Sequence, residues 1–135
     1  MPIAVERDSR CIGPRRVDSR LRSQWCLGRE YRRGGDLFAP HLVLVEATNI
    51  LRRLERAHQL NETEAAAARL DIVRLTIGLV PFEPFTDRVW ELRSNLTSYD
   101  AWYVAVAEAL DLPLATLDMR LSRASGPSCR FMLPD

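Results

Sequence analysis

The sequence predicts an α/β fold whose central sheet is mainly parallel and covered by helices on both faces. From residue 36 onward, segments with a helical spacing of apolar residues alternate with short apolar runs. These runs are continuously apolar, which is typical of strands buried on both faces. The chain has 135 residues, the length of one ordinary domain, and no internal repeat is visible. A single domain over residues 1–135 is therefore expected.

Helical periodicity predicts four main helices and one short one. They are expected at residues 41–58, 62–75, 86–95, 97–111 and 119–124. Pro40 lies just before or within the first turn of the first helix. Asn61 and Thr86 are residue types that favour N-caps and are expected to begin the second and third helices. The fourth helix is apolar nearly all round, which indicates a central position in the core.

Short apolar runs predict the strands. They are expected at residues 2–5, 77–82, 112–118 and 129–133. Because these runs alternate with helices, successive strands are expected to be joined by helical crossovers, which is the connection that parallel strands need.

Residues 6–35 do not follow this pattern, because their apolar residues have no clear period. They hold nine arginines against four acids, a net charge of +5, whereas residues 36–135 carry −4. Three interpretations stay open. The segment is a flexible basic arm that binds nucleic acid, a poorly packed version of a first β-α unit that includes a helix over 17–31, or a stretch translated partly in a shifted reading frame.

Several classes of protein are disfavoured by what the sequence lacks. No run of about 18 apolar residues is present, so no membrane span is expected, and the N-terminus turns charged too soon for a signal peptide. Cys11, Cys26 and Cys129 have no metal-type spacing and are expected to be reduced thiols in a cytoplasmic protein. His41 and His58 have no partner at metal-ligand spacing. There is also no phosphate-binding P-loop and no nucleophile elbow.

Three acids lie where a site could form, and each has a simpler structural explanation. Glu46 follows an apolar turn of the first helix, where it could instead pair with Arg53 at the helix boundary. Asp100 lies in the first turn of the central helix, where Thr97 and Asp100 match a capping box. Asp118 ends a buried strand, where ligands bind in parallel sheets, and it could equally be an N-cap.

Taken together, the three carboxylates predict a cation site, because they would repel one another without a neutralising charge. Oxygen ligands without His or Cys suit Mg²⁺, or Mn²⁺ as a substitute. Thr116 lies on the same side of its strand as Asp118, and Asn49 lies one turn after Glu46. Both are candidate supporting residues.

Two blocks of the sequence resemble a known family. "APHLVLVEATNILRRLERA" and "WELRSNLTSYDAWYVAVAEALDLPLATLDMRL", with the trailing "GPSCRF", are similar to the PIN-domain toxins of VapBC toxin–antitoxin modules, especially those of mycobacteria and other actinobacteria. The "NLTSYDAWYVAVAEAL" block followed by "TLDMRL" is the most specific part. The resemblance covers residues 36–133.

The resemblance implies a PIN-like three-layer α/β/α fold and Mg²⁺-dependent endoribonuclease activity. It also implies a cognate VapB-like antitoxin, RNA as the substrate and a homodimer. The implied acidic quartet consists of Glu46, Asp100, Asp118 and an acid after the first strand, for which Asp8 of the "DS" pair is the best match. Glu6, directly after the strand, is the other acid at this point.

The N-terminal segment departs from the family, because "RCIGPRR" stands where an apolar helix should follow the first acid. This departure supports an alternative function, a catalytically decayed PIN-domain protein that retains only antitoxin binding. In an active enzyme, Arg53 and Arg93 are expected to contact phosphates that flank the cleaved bond. A helical DNA-binding or interaction protein is disfavoured by the buried strands after residue 112.

Overall fold

The structure, a computed structural model, describes the backbone of residues 2–6 and the whole of residues 37–134. The described strands are β1 (Pro2–Glu6), β2 (Leu37–Pro40), β3 (Gly78–Val80), β4 (Leu114–Thr116) and β5 (Phe131–Met132). The α-helices are α1 (Leu42–Arg56), α2 (Glu62–Arg74), α3 (Thr86–Glu91), α4 (Ser98–Leu110) and α5 (Met119–Ser122). Asp8, Cys11, Cys26 and the helix expected over 17–31 lie outside the described residues, so the three interpretations of the arginine-rich segment stay open.

The strands form one sheet in the order β3-β2-β1-β4-β5. β2 pairs in parallel with β3, and β4 pairs in parallel with β5. β1 lies in the middle and runs antiparallel to both of its neighbours. Four of the five described strands therefore share one direction, which confirms the predicted mainly parallel sheet. The reversed direction of β1 was not predicted.

The register of β1 decides which of its ends lies near the carboxyl ends of the other strands. Pro2 pairs with Thr116 at the end of β4, whereas Val5 pairs with Leu114 at its beginning. Glu6 pairs with Leu37, the first residue of β2. The carboxyl end of β1 therefore lies at the side of the sheet where β2 and β4 begin. The carboxyl end of β4 lies at the opposite side.

β2 is a strand that the sequence analysis missed, because it is only four residues long and ends at Pro40. Its backbone pairs with β3, with Phe38 opposite Gly78. A Cβ atom on Gly78 would lie 2.6 Å from Cδ1 of Phe38. Glycine is therefore required here, because it lets the aromatic ring lie against the neighbouring strand.

Capping residues mark two of the predicted helix starts correctly and one incorrectly. Asn61 forms a complete capping box with Glu64, and Thr97 accepts a hydrogen bond from the backbone N–H of Asp100. Thr86 is not a cap, since Phe85 holds that position and the hydroxyl of Thr86 donates to the Glu83 carbonyl at 3.2 Å. A 3₁₀ turn over Glu83–Phe85 already leads into the helix, and α3 ends at Glu91 before a second 3₁₀ turn at Leu92–Ser94.

Helix α4 is the centre of the core, as its sequence predicted. It packs against β1, β2 and β4 on one side and against α3 on another. Six of its residues are buried: Ala101, Tyr103, Val104, Ala105, Val106 and Ala107. A helix with so little exposed surface fixes the position of every polar group that projects from it.

Two further predictions can be compared with the described part of the chain. In residues 2–6 and 37–134, no helix is long and apolar enough to cross a membrane. Cys129 has a free, half-buried thiol, and burial raises its pKa to about 11.

Candidate active site

Glu46 lies in the second turn of α1 and is half-buried. Its carboxylate is held by another helix, because the hydroxyl of Tyr103 on α4 donates to Oε2 of Glu46 at 2.6 Å. The alternative pairing of Glu46 with Arg53 is not observed, and Arg53 is exposed without an ion pair among the described residues. An acid at the end of an apolar turn is thus explained by a specific partner in the core.

Tyr103 is 0% exposed, so its hydroxyl depends on this hydrogen bond. The pKa of Tyr103 is raised well above its ordinary value, first by burial and then by the hydrogen bond to Glu46. The negative charges of Glu46 and Asp100 raise it further. Tyr103 therefore keeps its proton at any physiological pH and acts as the donor, while Glu46 accepts as a carboxylate.

Asp100 lies in the first turn of α4 and is held by the residue that caps the helix. Oγ1 of Thr97 donates to Oδ2 of Asp100 at 2.8 Å and accepts from the Asp100 backbone N–H at 3.2 Å. Thr97 is therefore the N-cap of α4, but only half of the predicted capping box is formed, because Asp100 accepts from the Thr97 hydroxyl in place of the Thr97 backbone N–H. This arrangement leaves Oδ1 of Asp100 without a hydrogen-bond partner among the described residues, so capping does not use the whole carboxylate.

Asp118 follows β4 and is the N-cap of α5. Its Oδ1 accepts from the backbone N–H groups of Arg120 at 2.7 Å and Leu121 at 3.3 Å. These hydrogen bonds hold the pKa of Asp118 below its ordinary value of 3.8. Thr116 is buried, and its hydroxyl accepts from the Asp118 backbone N–H at 3.0 Å. Thr116 thus fixes the backbone that carries Asp118, and its expected role at a metal site stays a prediction.

The three acids share one feature. In each, one carboxylate oxygen accepts a hydrogen bond and the other oxygen is free in the described part of the chain. Oε1 of Glu46, Oδ1 of Asp100 and Oδ2 of Asp118 have no hydrogen-bond partner within residues 37–134. Ionised carboxylates with a free oxygen are the donors that Mg²⁺ and Mn²⁺ prefer, so the chemistry of these groups fits such an ion.

The structure links two of these acids to helix α4, Glu46 through the Tyr103 hydroxyl and Asp100 through its place in the first turn. The hydrogen bonds of Asp118 lie at the end of β4 and the start of α5. Within the described ranges, no group of three or more Asp, Glu, His or Cys residues is compact enough to hold a metal ion. The four-acid site stays a prediction, and Asp8, its fourth member, lies outside the described residues.

Two other candidate residues, Asn49 and Arg93, contact side chains or carbonyl groups three positions earlier or later in the sequence. Oδ1 of Asn49 accepts from Nε of Arg52 at 3.0 Å. Nη1 of Arg93 donates to the carbonyl of Trp90 at 2.7 Å, and its guanidinium carbon lies 4.6 Å from the centre of the Trp90 ring. Neither side chain has a hydrogen bond or ion pair with the three acids, so their expected roles toward Glu46 and RNA stay predictions.

Comparison with known proteins places the chain in a family. A model of the PIN domain family matches residues 17–127. The chain belongs to the PIN domain family. This confirms the resemblance and the PIN-like fold, with its helices and mainly parallel sheet. The family match to the PIN domain begins at residue 17, so it includes neither Glu6 nor Asp8.

Curated PIN-domain relatives come from mycobacteria. VapC ribonuclease Mb0985 of Mycobacterium bovis is 41% identical over 93 residues, which is 69% of this chain and 73% of the relative. Ribonuclease VapC1 of Mycobacterium tuberculosis is 42% identical over 96 residues, 70% of this chain and 72% of the relative. Ribonuclease VapC12 of the same species is 33% identical over 101 residues, which is 75% of this chain and 78% of the relative. This PIN domain is thus similar to VapC proteins over about three quarters of its length.

Tyr103 is the residue of this PIN-domain site that the sequence analysis did not find, since it treated the whole of the fourth helix as part of the core. The core assignment is correct, but the hydroxyl has a partner on α1. One signal was present in the sequence. Tyr103 lies three positions after Asp100, and residues at this spacing share a helix face.

Proposed function

We propose that this PIN-domain protein is a metal-dependent endoribonuclease toxin of a type II toxin–antitoxin module, which hydrolyses RNA phosphodiesters at an acidic metal site. The observation that carries the proposal is that helix α4 holds two of the predicted acids, Asp100 through its N-cap and Glu46 through the buried Tyr103 hydroxyl, and leaves each with an oxygen that has no partner among the described residues. The names of the relatives agree with it, because they are called VapC ribonucleases.

Glu46, Asp100 and Asp118 are the described residues that would hold the ion, with Asp8 as the proposed fourth ligand. Bound Mg²⁺, or Mn²⁺ in its place, would supply an activated water and screen the charge that develops on the phosphate. The chain itself keeps its ligands charged and oriented. Tyr103 fixes Glu46, and two backbone N–H groups keep Asp118 ionised.

RNA binding would come from arginines, since guanidinium groups form paired hydrogen bonds with phosphate. Arg53 is the better placed of the two candidates, because it is exposed and free of ion pairs among the described residues. Arg93 would have to leave its contact with Trp90, or bind phosphate through the nitrogen atoms that this contact leaves free.

The proposal includes a cytoplasmic location, a homodimer and a cognate VapB-like antitoxin that neutralises the toxin. The location is supported by the proposed RNA substrate and by the thiol of Cys129, which is free in the described part of the chain. The antitoxin follows from the similarity to VapC proteins, which are named after such modules.

A second function, antitoxin binding by a catalytically decayed PIN domain, is favoured by two observations about the N-terminus. The carboxyl end of β1 and the carboxyl end of β4 lie at opposite sides of the sheet. The family match begins only at residue 17, after Asp8. Both observations concern the first acid alone, and they leave Glu46, Asp100 and Asp118 in place.

RNA cleavage by the purified full chain tests the proposed function. We expect cleavage with Mg²⁺, none with EDTA, and a loss of at least about 100-fold in the Asp100→Asn variant, because a metal ligand should matter more than an outer-shell partner. Asp111→Asn is the matched control, since it makes the same change at the other end of α4. No cleavage by the folded wild-type chain would favour the decayed PIN domain instead.

A further inference from the structure

The hydrogen bond between Tyr103 and Glu46 joins the core to the rim of the candidate site. Tyr103 belongs to the most buried helix and is fully enclosed, whereas Glu46 is half-exposed on α1. The two residues are 57 positions apart, and the distance of 2.6 Å is typical of a charge-assisted hydrogen bond between a hydroxyl and a carboxylate.

A purely structural role would require only that the buried hydroxyl find an acceptor. A backbone carbonyl of a neighbouring helix would meet this need without a charge. The acceptor is instead a carboxylate, which must give up part of its hydration to reach the core. The pairing of Tyr103 with a carboxylate is explained if the orientation of that carboxylate is needed for function.

The geometry of the carboxylate supports such a purpose. Tyr103 holds Oε2 and leaves Oε1 without a partner within residues 37–134. Asp100, three residues earlier on the same helix, is likewise held at Oδ2 by Thr97 and free at Oδ1. Helix α4 therefore fixes both acids, one through its cap and the other through Tyr103.

We propose that Tyr103 is a positioning residue that fixes the Glu46 carboxylate for metal binding next to Asp100. The inference rests on the proposed function, because it assumes that Glu46 binds an ion. Tyr103 does not touch the ion and acts only through Glu46. Partners of this kind orient a ligand before the metal arrives, and their removal typically weakens metal affinity about 10–100-fold.

The test is Mn²⁺ binding to the full chain, measured by electron paramagnetic resonance or calorimetry without RNA. Tyr103→Phe removes only the hydroxyl and keeps the ring that fills the core. We expect its affinity for Mn²⁺ to fall about 10-fold or more, as for other outer-shell changes. Tyr99→Phe is the matched control, because Tyr99 lies on the same helix, is 63% exposed and should leave the affinity unchanged.

A second readout separates positioning from a general loss of structure. In RNA cleavage, Tyr103→Phe should raise the Mg²⁺ concentration needed for half-maximal rate and leave the KM for RNA nearly unchanged. Circular dichroism should show an unaltered fold. If Tyr103→Phe fails to fold, Tyr103→Met replaces it, because a flexible apolar side chain can fill the space without a hydroxyl and leaves the Glu46 carboxylate unchanged. The same loss of Mn²⁺ affinity is expected.

The outcomes distinguish this inference from the proposed function. Wild-type Mn²⁺ affinity in Tyr103→Phe, or in Tyr103→Met, would overturn the positioning role while the wild-type chain still bound metal and cleaved RNA. Absence of Mn²⁺ binding in the wild-type chain would overturn the metal-dependent function, and the role of Tyr103 with it.

Discussion

Asp118 combines two roles that a single substitution can separate. Its carboxylate caps α5 through two backbone N–H groups and is also a candidate metal ligand. Asparagine caps helices as well as aspartate does, but it carries no charge. We therefore expect Asp118→Asn to keep the wild-type melting temperature and to lose Mg²⁺-dependent RNA cleavage. Thermal unfolding and a cleavage assay on the same sample would check this.

Asp118→Ala is the comparison for that experiment, because it removes both the cap and the charge. It should lower the melting temperature by a few degrees and abolish cleavage as well. If Asp118→Asn cleaved RNA as fast as the wild type, Asp118 would be a cap alone.

At the residue scale, the sequence predicts contacts between near neighbours and misses those between distant positions. Thr97 with Asp100 could be predicted, since a capping box has a fixed local spacing. The hydrogen bond of Tyr103 with Glu46 could not, because its partners lie on helices that only the folded chain brings together. The expected partner of Glu46, Arg53, was chosen for its spacing on the same helix.

Among the helices, α2 depends most clearly on its cap. Its apolar residues do not form a well-separated face, and Ala65 is its one buried residue. The Asn61 side chain accepts from the Glu64 backbone N–H at 2.9 Å, and Glu64 accepts in return from the Asn61 N–H at 2.8 Å. Asn61→Ala should therefore lower the free energy of unfolding by about 1 kcal/mol.

Urea unfolding of the full chain would measure this loss. Gln59→Ala, two positions earlier and equally exposed, is the control and should change stability by less than about 0.5 kcal/mol. An equal effect of the two substitutions would show that the capping box does not stabilise α2.

Element boundaries were predicted well where a local signal exists and poorly elsewhere. The starts of α2 and α4 follow from Asn61 and Thr97. β2 was missed, because its stability comes from pairing with β1 and β3 and not from its own four residues. The third helix was predicted too long, since a 3₁₀ turn takes over at Leu92 and helical spacing alone does not distinguish the two forms.

Across the whole molecule, a polar network holds the C-terminal segment against α3 and α4. Arg88 donates to both carboxylate oxygens of Glu108, at 2.7 and 3.0 Å, and to the Gly126 carbonyl at 2.9 Å. Glu108 also accepts from the backbone N–H and the hydroxyl of Ser128, at 2.7 and 2.9 Å. The network therefore connects three parts of the chain that lie far apart in sequence.

The network should make stability depend on pH in the acid range. Burial alone would raise the pKa of Glu108, but the hydrogen bonds from Arg88 and Ser128 outweigh it and lower the pKa below 4.5. Because the folded pKa is the lower one, this stabilisation is present above the unfolded pKa and is lost as pH falls through the folded pKa. One such group contributes a slope of at most about 1.4 kcal/mol per pH unit.

We expect the free energy of unfolding of the wild type to fall more steeply below about pH 4.5 than that of Glu108→Gln, which cannot titrate. Urea unfolding at a series of pH values would measure both slopes. Glu91→Gln is the matched control, because Glu91 is the more exposed partner of Arg88. Parallel curves for wild type and Glu108→Gln would contradict the predicted role of Glu108.

The reversed strand β1 has a consequence for the order in which the protein can form. It lies between the two parallel pairs, β2 with β3 and β4 with β5, and is the strand that bonds to both. During synthesis β1 is made long before β4, so it has to remain unpaired on that side until the last part of the domain has emerged. The pairing of β1 with β4 is therefore among the last contacts of the sheet that can form, and the β1 edge that will meet β4 stays open until residues 114–116 have been made.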